Sequence, residues 1–202
     1  MLQRTGYRRV VLATALSGVL LSAPPVHPQP AKPAFASSQP ADAIKTLTAA
    51  LTGRWKTKEK YDRFDALGVA ALASDGEYVW RPGPGGLTLL EDYRATTPIG
   101  ELIGFGVIWW DHTRQLQSLW CANIDPAGCG MFPRAPLPGP QWNGKELVLD
   151  NEVDLAGKTF AWREVITITS ATTFTVTIDI GESRDRMVRW LTSQATKVGD
   201  VH

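Results

Sequence analysis

Histidine is nearly absent from this 202-residue sequence, with only His27, His112 and His202 present. His27 lies in a proline-rich leader and His202 is the last residue, so His112 alone falls in the folded part, in the turn-like Asp111-His112-Thr113. A Ser-His-Asp triad needs a histidine beside its nucleophile. A catalytic zinc site needs several histidines or a histidine–cysteine set, and a histidine-held haem would have only His112 to draw on. These chemistries are disfavoured, and neither a metal nor a cofactor is expected. No glycine-rich phosphate loop is present either. Gly83-Pro84-Gly85-Gly86 includes a proline without an N–H, and no lysine-threonine or helix start follows, so it reads as a turn between strands.

Acidic residues are missing from residues 1–36, which contain Arg4, Arg8, Arg9 and Lys32. The positive start leads into the apolar run from Val10 to Leu21, broken by Ser17-Gly18 and stopped at Pro24-Pro25. The run is shorter than the roughly 20 apolar residues of a spanning helix. Charge, short apolar run and small-residue exit together read as a secretory signal, with cleavage after Ala23 or after Ala36. An uncleaved N-terminal anchor is the alternative. Arg8-Arg9 fits either a twin-arginine or an ordinary export signal. The expected location is periplasmic or secreted, with no membrane association after cleavage. Without the leader, 17 of the 21 basic residues face all 20 acidic ones, a net charge of −3. Such a domain lacks the basic footprint of a nucleic-acid binder.

Cysteine is as scarce as histidine: Cys121 and Cys129 only, with Asp125-Pro126-Ala127-Gly128 between them. In an oxidising compartment an even pair across a turn favours a disulfide, with free thiols as the alternative.

Residues 37–42 read as a flexible linker and 43–202 as one domain. From Asp42, the apolar residues Ile44, Leu47 and Leu51 recur at helical spacing until Gly53, which predicts a short helix. Beyond it the period falls to two. Phe174, Val176, Ile178 and Ile180 alternate with Thr173, Thr175, Thr177 and Asp179, as a half-buried strand requires. Residues 147–155 and 159–168 repeat the pattern, with Asn151 interrupting the first apolar row. Further strands are expected near 54–61, 69–81, 86–96, 99–110, 114–122 and 184–195. Many strands separated by short turn signals predict an all-β, antiparallel sandwich or barrel, and a meander of hairpins favours the barrel. The five prolines between Pro126 and Pro140 argue against a central strand there. A long loop over 123–143 is expected, either a binding loop or a tolerated insertion.

Several local sequences recur together: Trp80 before the glycine-rich turn, Leu89-Leu90-Glu91-Asp92-Tyr93, Gly104-Phe105-Gly106-Val107-Ile108-Trp109-Trp110-Asp111, Asn143-Gly144-Lys145 and Trp162-Arg163-Glu164-Val165. Over residues 43–198 the chain resembles the bacterial family catalogued as domain of unknown function 1579. That resemblance implies an up-and-down, calycin- or lipocalin-like β-barrel with a central cavity. It supplies no catalytic residues. The 123–143 segment and the two cysteines depart from the family pattern.

Candidate chemistry rests on acids and aromatics. Glu164 shares an apolar face with Phe160, Trp162, Ile166 and Ile168. A buried carboxylate needs a partner or a raised pKa, and Arg81, Arg94, Arg163 and Arg189 are the candidates by type. Glu91, two residues before Tyr93, is a second such acid. Eight tryptophans are present, and Trp80, Trp109, Trp120 and Trp162 either line a cavity or fill a solid core. The leading expectation is an exported barrel that binds a small apolar or amphipathic molecule through Trp80, Glu91, Tyr93, Trp109, Trp120, Trp162 and Glu164. The alternatives are an interaction module acting through the 123–143 loop, and an enzyme with Glu164 as general base. The sequence specifies no oligomeric state.

Overall fold

The computed structural model describes residues 41–111, 115–124, 128–132 and 137–201. The leader with both cleavage positions, His112 and parts of the proline-rich segment lie outside the described residues. Helix α1, Asp42–Leu51, forms where the helical spacing predicts it, with Asp42 in the first turn and Ile44, Leu47 and Leu51 fully buried. Burying each of these aliphatic side chains contributes roughly 1.5–3 kcal/mol of transfer free energy. Among the described residues no helix is long and apolar enough to cross a membrane.

Eleven antiparallel strands follow: β1 Gly53–Tyr61, β2 Leu72–Pro82, β3 Thr88–Thr97, β4 Gly100–Trp110, β5 Leu116–Ala122, β6 Cys129–Phe132, β7 Gln141–Trp142, β8 Glu146–Leu155, β9 Lys158–Ser170, β10 Thr173–Gly181 and β11 Val188–Gly199. They form one sheet in the order β6-β5-β4-β3-β2-β1-β11-β10-β9-β8-β7. Sequence neighbours therefore pair from β1 to β6 and from β7 to β11, and β1 joins the last strand, β11. The sheet curls into an up-and-down barrel, because side chains from distant strands meet inside it. Phe174 of β10 packs against Trp55 of β1 and Tyr78 of β2, and Phe64 packs against Phe160 of β9. The free edges are β6 and β7, four and two residues long; short edge strands offer little template for intermolecular pairing.

β1 shows why this sequence makes this sheet. Trp55, Thr57, Glu59 and Tyr61 alternate, buried, with exposed Arg54, Lys56, Lys58 and Lys60. On the outer face Lys58 pairs with Asp75 of β2 at 2.7 Å, and Lys56 pairs with Glu77. The β8–β9 hairpin turns on two residues, Ala156 at φ 50° and Gly157 at φ 76°, the positive-φ pair of a type I′ turn.

The 123–143 segment differs from the expected loop, since it contributes β6 and β7. Its prolines explain how: β6 fits between Pro126 and Pro133, and β7 begins just after Pro140, so neither strand includes a residue without an N–H. Cys121 of β5 lies opposite Cys129 of β6 and the two form a disulfide, which ties this edge strand to its neighbour.

Candidate ligand-binding site

The barrel has unlike ends. α1 runs directly into β1, and its buried face packs at that end against β2, β3 and β4. The Trp55 indole donates to the Leu51 carbonyl at 2.8 Å, and the Trp142 indole donates to Thr46 Oγ1 at 2.9 Å. At the other end a cavity of about 170 Å³ opens past Thr97 and Ile99 of the β3–β4 turn, Ile124 after β5 and Leu155 at the end of β8. An apolar cavity of roughly 150 Å³ admits a benzene ring, so this interior is not a solid core.

Two aromatic tiers form its wall. Tyr78 stacks on Tyr93, with centroids 4.4 Å apart, and on Trp80 at 6.0 Å, while Trp120 lies 6.5 Å from Tyr93. Across the interior, Trp190 meets Tyr61 at 5.4 Å and Trp162 at 5.7 Å, both edge-on. Glycines in β4 make room for this arrangement. A Cβ on Gly104 would sit 2.3 Å from the Trp120 ring, and one on Gly106 would sit 2.7 Å from Glu91 Oε2.

Three carboxylates point inward, in two kinds of environment. Glu59 is 3 % exposed and saturated: Thr57 and Tyr93 hydroxyls donate to Oε1 and the Tyr61 hydroxyl donates to Oε2, each at 2.8 Å. Burial, and to a lesser degree the Glu59 carboxylate, hold the Tyr61 phenol well above its ordinary value. Glu91 and Glu164 line the cavity itself. Loss of hydration raises Glu91 well above the ordinary carboxyl range, and the facing Glu164 adds to the effect. Loss of hydration also pushes Glu164 up to about 7, partly offset by the adjacent Trp162 indole, whose N–H makes no well-formed hydrogen bond. Among the described residues no group of three or more His, Cys, Asp or Glu side chains is placed to hold a metal ion.

Six of the seven candidate lining residues come together here: Trp80, Glu91, Tyr93, Trp120, Trp162 and Glu164. Trp109 does not. Gly104, Gly106 and Ile108 bury the alternate positions of β4, so Trp109 falls on the opposite face, and its neighbour Trp110 packs against the core instead. Of the two alternatives for Glu164, a partner or a raised pKa, the second holds, and none of the four candidate arginines pairs with it. Arg81 pairs with Asp92, Arg163 with Asp150 at 3.7 Å and Arg189 with Asp179, all outward positions by strand alternation, and Arg94 is exposed. Asn151, which interrupts an apolar row, keeps its inward register and is 1 % exposed.

Sequence reasoning missed Glu59, Tyr61, Tyr78 and Trp190. The signal for the first two is the strict alternation of β1, where every outward residue between Gly53 and Tyr61 is cationic. Trp190 is the extra residue at a register shift between β10 and β11, where Ile178 pairs with Leu191 and Asp179 with Arg189, which period-two reading does not reveal.

No family model matches the chain, and no curated protein matches it. Among solved structures, a redesigned β-barrel aligns with 80 % of this chain and 99 % of its own, at 14 % identity and a TM-score of 0.41.

Proposed function

We propose that the chain is an exported β-barrel protein that binds a small apolar or amphipathic molecule in its cavity. The observation that carries this reading is an open cavity of about 170 Å³ walled by Trp80, Tyr93 and Trp120 on one side and Trp162 on the other, with two carboxylates among them. A concave, largely aromatic site with a few convergent polar groups is the usual form of a small-molecule site. The disulfide suits an oxidising compartment, in keeping with the leader's reading as an export signal. The likeness of residues 43–198 to the domain of unknown function 1579 belongs to the same proposal and adds no chemistry to it.

The test is native mass spectrometry of protein exported to a bacterial periplasm, with isothermal titration calorimetry against a neutral single-ring probe, p-cresol. An added mass that survives native conditions and vanishes on denaturation, or saturable heat on probe titration, is the expected result. A bare native mass together with no probe binding overturns the reading.

A second reading has one observation in its favour. Glu164 ionises near 7, where a general base works best at neutral pH. Turnover of a bound ligand that Glu164→Gln abolishes would establish it, and a bound ligand recovered unchanged would remove it.

A further inference from the structure

Resting on the reading of the cavity as a binding site, the geometry points to a ligand that carries a protonated amine on a single aromatic ring. The charge of the lining is one-sided. Its ionisable acids are Glu91 and Glu164 inside and Glu152 and Asp154 toward the mouth, and among the described residues no lysine, arginine or histidine lines it.

The contrast with Glu59 separates a structural acid from an available one. Glu59 is satisfied by three hydroxyl donors from its own barrel. Glu91 and Glu164 form no ion pair with a described residue: Arg163 and Arg81 pair with the outward Asp150 and Asp92, and Arg94 is on the exposed face of β3. A buried carboxylate left without a cation is costly. A ligand ammonium placed between these two strands, β3 and β9, supplies the missing counter-charge. Aromatic rings in the same wall, Tyr93 and Trp120 among them, favour a cation as well.

Trp80 and Trp190 also line the cavity, but their indole nitrogens are buried away from its open space, so they set no requirement on the ligand. The cavity volume limits the apolar body to about one ring inside the barrel.

The experiment uses three near-isosteric probes at pH 8 by isothermal titration calorimetry. Tyramine carries the ammonium, tyrosol replaces it with a neutral hydroxyl, and 4-hydroxyphenylacetate replaces it with an anion. Tyramine is expected to bind at least about tenfold more tightly than tyrosol, the order of one charge-assisted hydrogen bond, and 4-hydroxyphenylacetate not to bind. In the Glu91→Gln/Glu164→Gln double variant, the preference for tyramine over tyrosol should disappear. Equal affinity for tyramine and tyrosol, or tightest binding of the anion, overturns the cationic ligand while leaving the binding cavity standing. Binding of the neutral p-cresol probe with no binding of any of the three also overturns it. Failure of that neutral probe as well removes the underlying reading itself.

Discussion

Glu164 offers a direct measure of what burial inside this barrel does to a carboxylate. Its ordinary value is 4.5 and the interior raises it to about 7. Between these pH values the folded state keeps a proton that the unfolded chain releases. Stability is therefore fully present below about 4.5 and falls as pH rises through 7. The difference corresponds to about 3 kcal/mol as an upper bound, since each pH unit of displacement is worth about 1.4 kcal/mol. With urea slopes of roughly 1–3 kcal/mol per molar for a small domain, the wild-type midpoint should drop by about 1 M or more between pH 5 and pH 8. Glu164→Gln removes the charge while keeping the shape, so the variant should lose much of that drop and be the more stable protein at pH 8. Glu91 contributes with the same sign and is coupled to Glu164, so the residual dependence should flatten only in the Glu91→Gln/Glu164→Gln double variant. Urea denaturation followed by circular dichroism at the two pH values is sufficient. A Glu164→Gln protein that retains the full wild-type loss of stability between pH 5 and pH 8 would refute the reasoning.

Three further perturbations probe other parts of the structure. Replacing both Cys121 and Cys129 with serine should cost about 2–3 kcal/mol for so short a loop. It should also speed amide exchange in Cys129–Phe132 before the rest of the sheet, which hydrogen-exchange mass spectrometry would show. Gly104→Ala should destabilise by about 1–3 kcal/mol, because its Cβ meets the Trp120 ring. Gly130→Ala, where nothing lies within 4 Å, should be close to neutral, and equal effects in the two variants would contradict the packing. Leu47→Ala in α1, fully buried against the barrel end, should cost about 2–5 kcal/mol in the same denaturation assay.

Most of the β architecture was legible in residue patterns. β10 and β1 alternate strictly, and a register slip would have turned Phe174, Val176 and Ile178 to solvent. The inward set of β9 follows from the same rule, which is why Trp162 and Glu164 were found. The rule fails where it lacks a phase marker. In β4, Trp109 and Trp110 are adjacent and equally apolar, so only the burial of Gly104, Gly106 and Ile108 decides that Trp110 faces the core. The fate of the arginines was hidden for a related reason. Arg163 neighbours Glu164 in sequence, yet successive side chains of a strand project to opposite faces, so the two cannot meet.

The sequence by itself determined the local chemistry: a helix at Asp42–Leu51, alternating strands, the turns between them, and the shortage of histidine that directs attention to acids and aromatics. These depend on nearest-neighbour geometry and side-chain period, which are properties of short segments. Only the tertiary structure decided that the ladder joins β1 to β11, that the stretches Cys129–Phe132 and Gln141–Trp142 become its edges, and that Glu59 is held by three hydroxyls while Glu91 and Glu164 line the cavity. Each of these depends on which residues from distant strands face one another across the interior, and that is set by the curl and register of the whole sheet rather than by any segment of it.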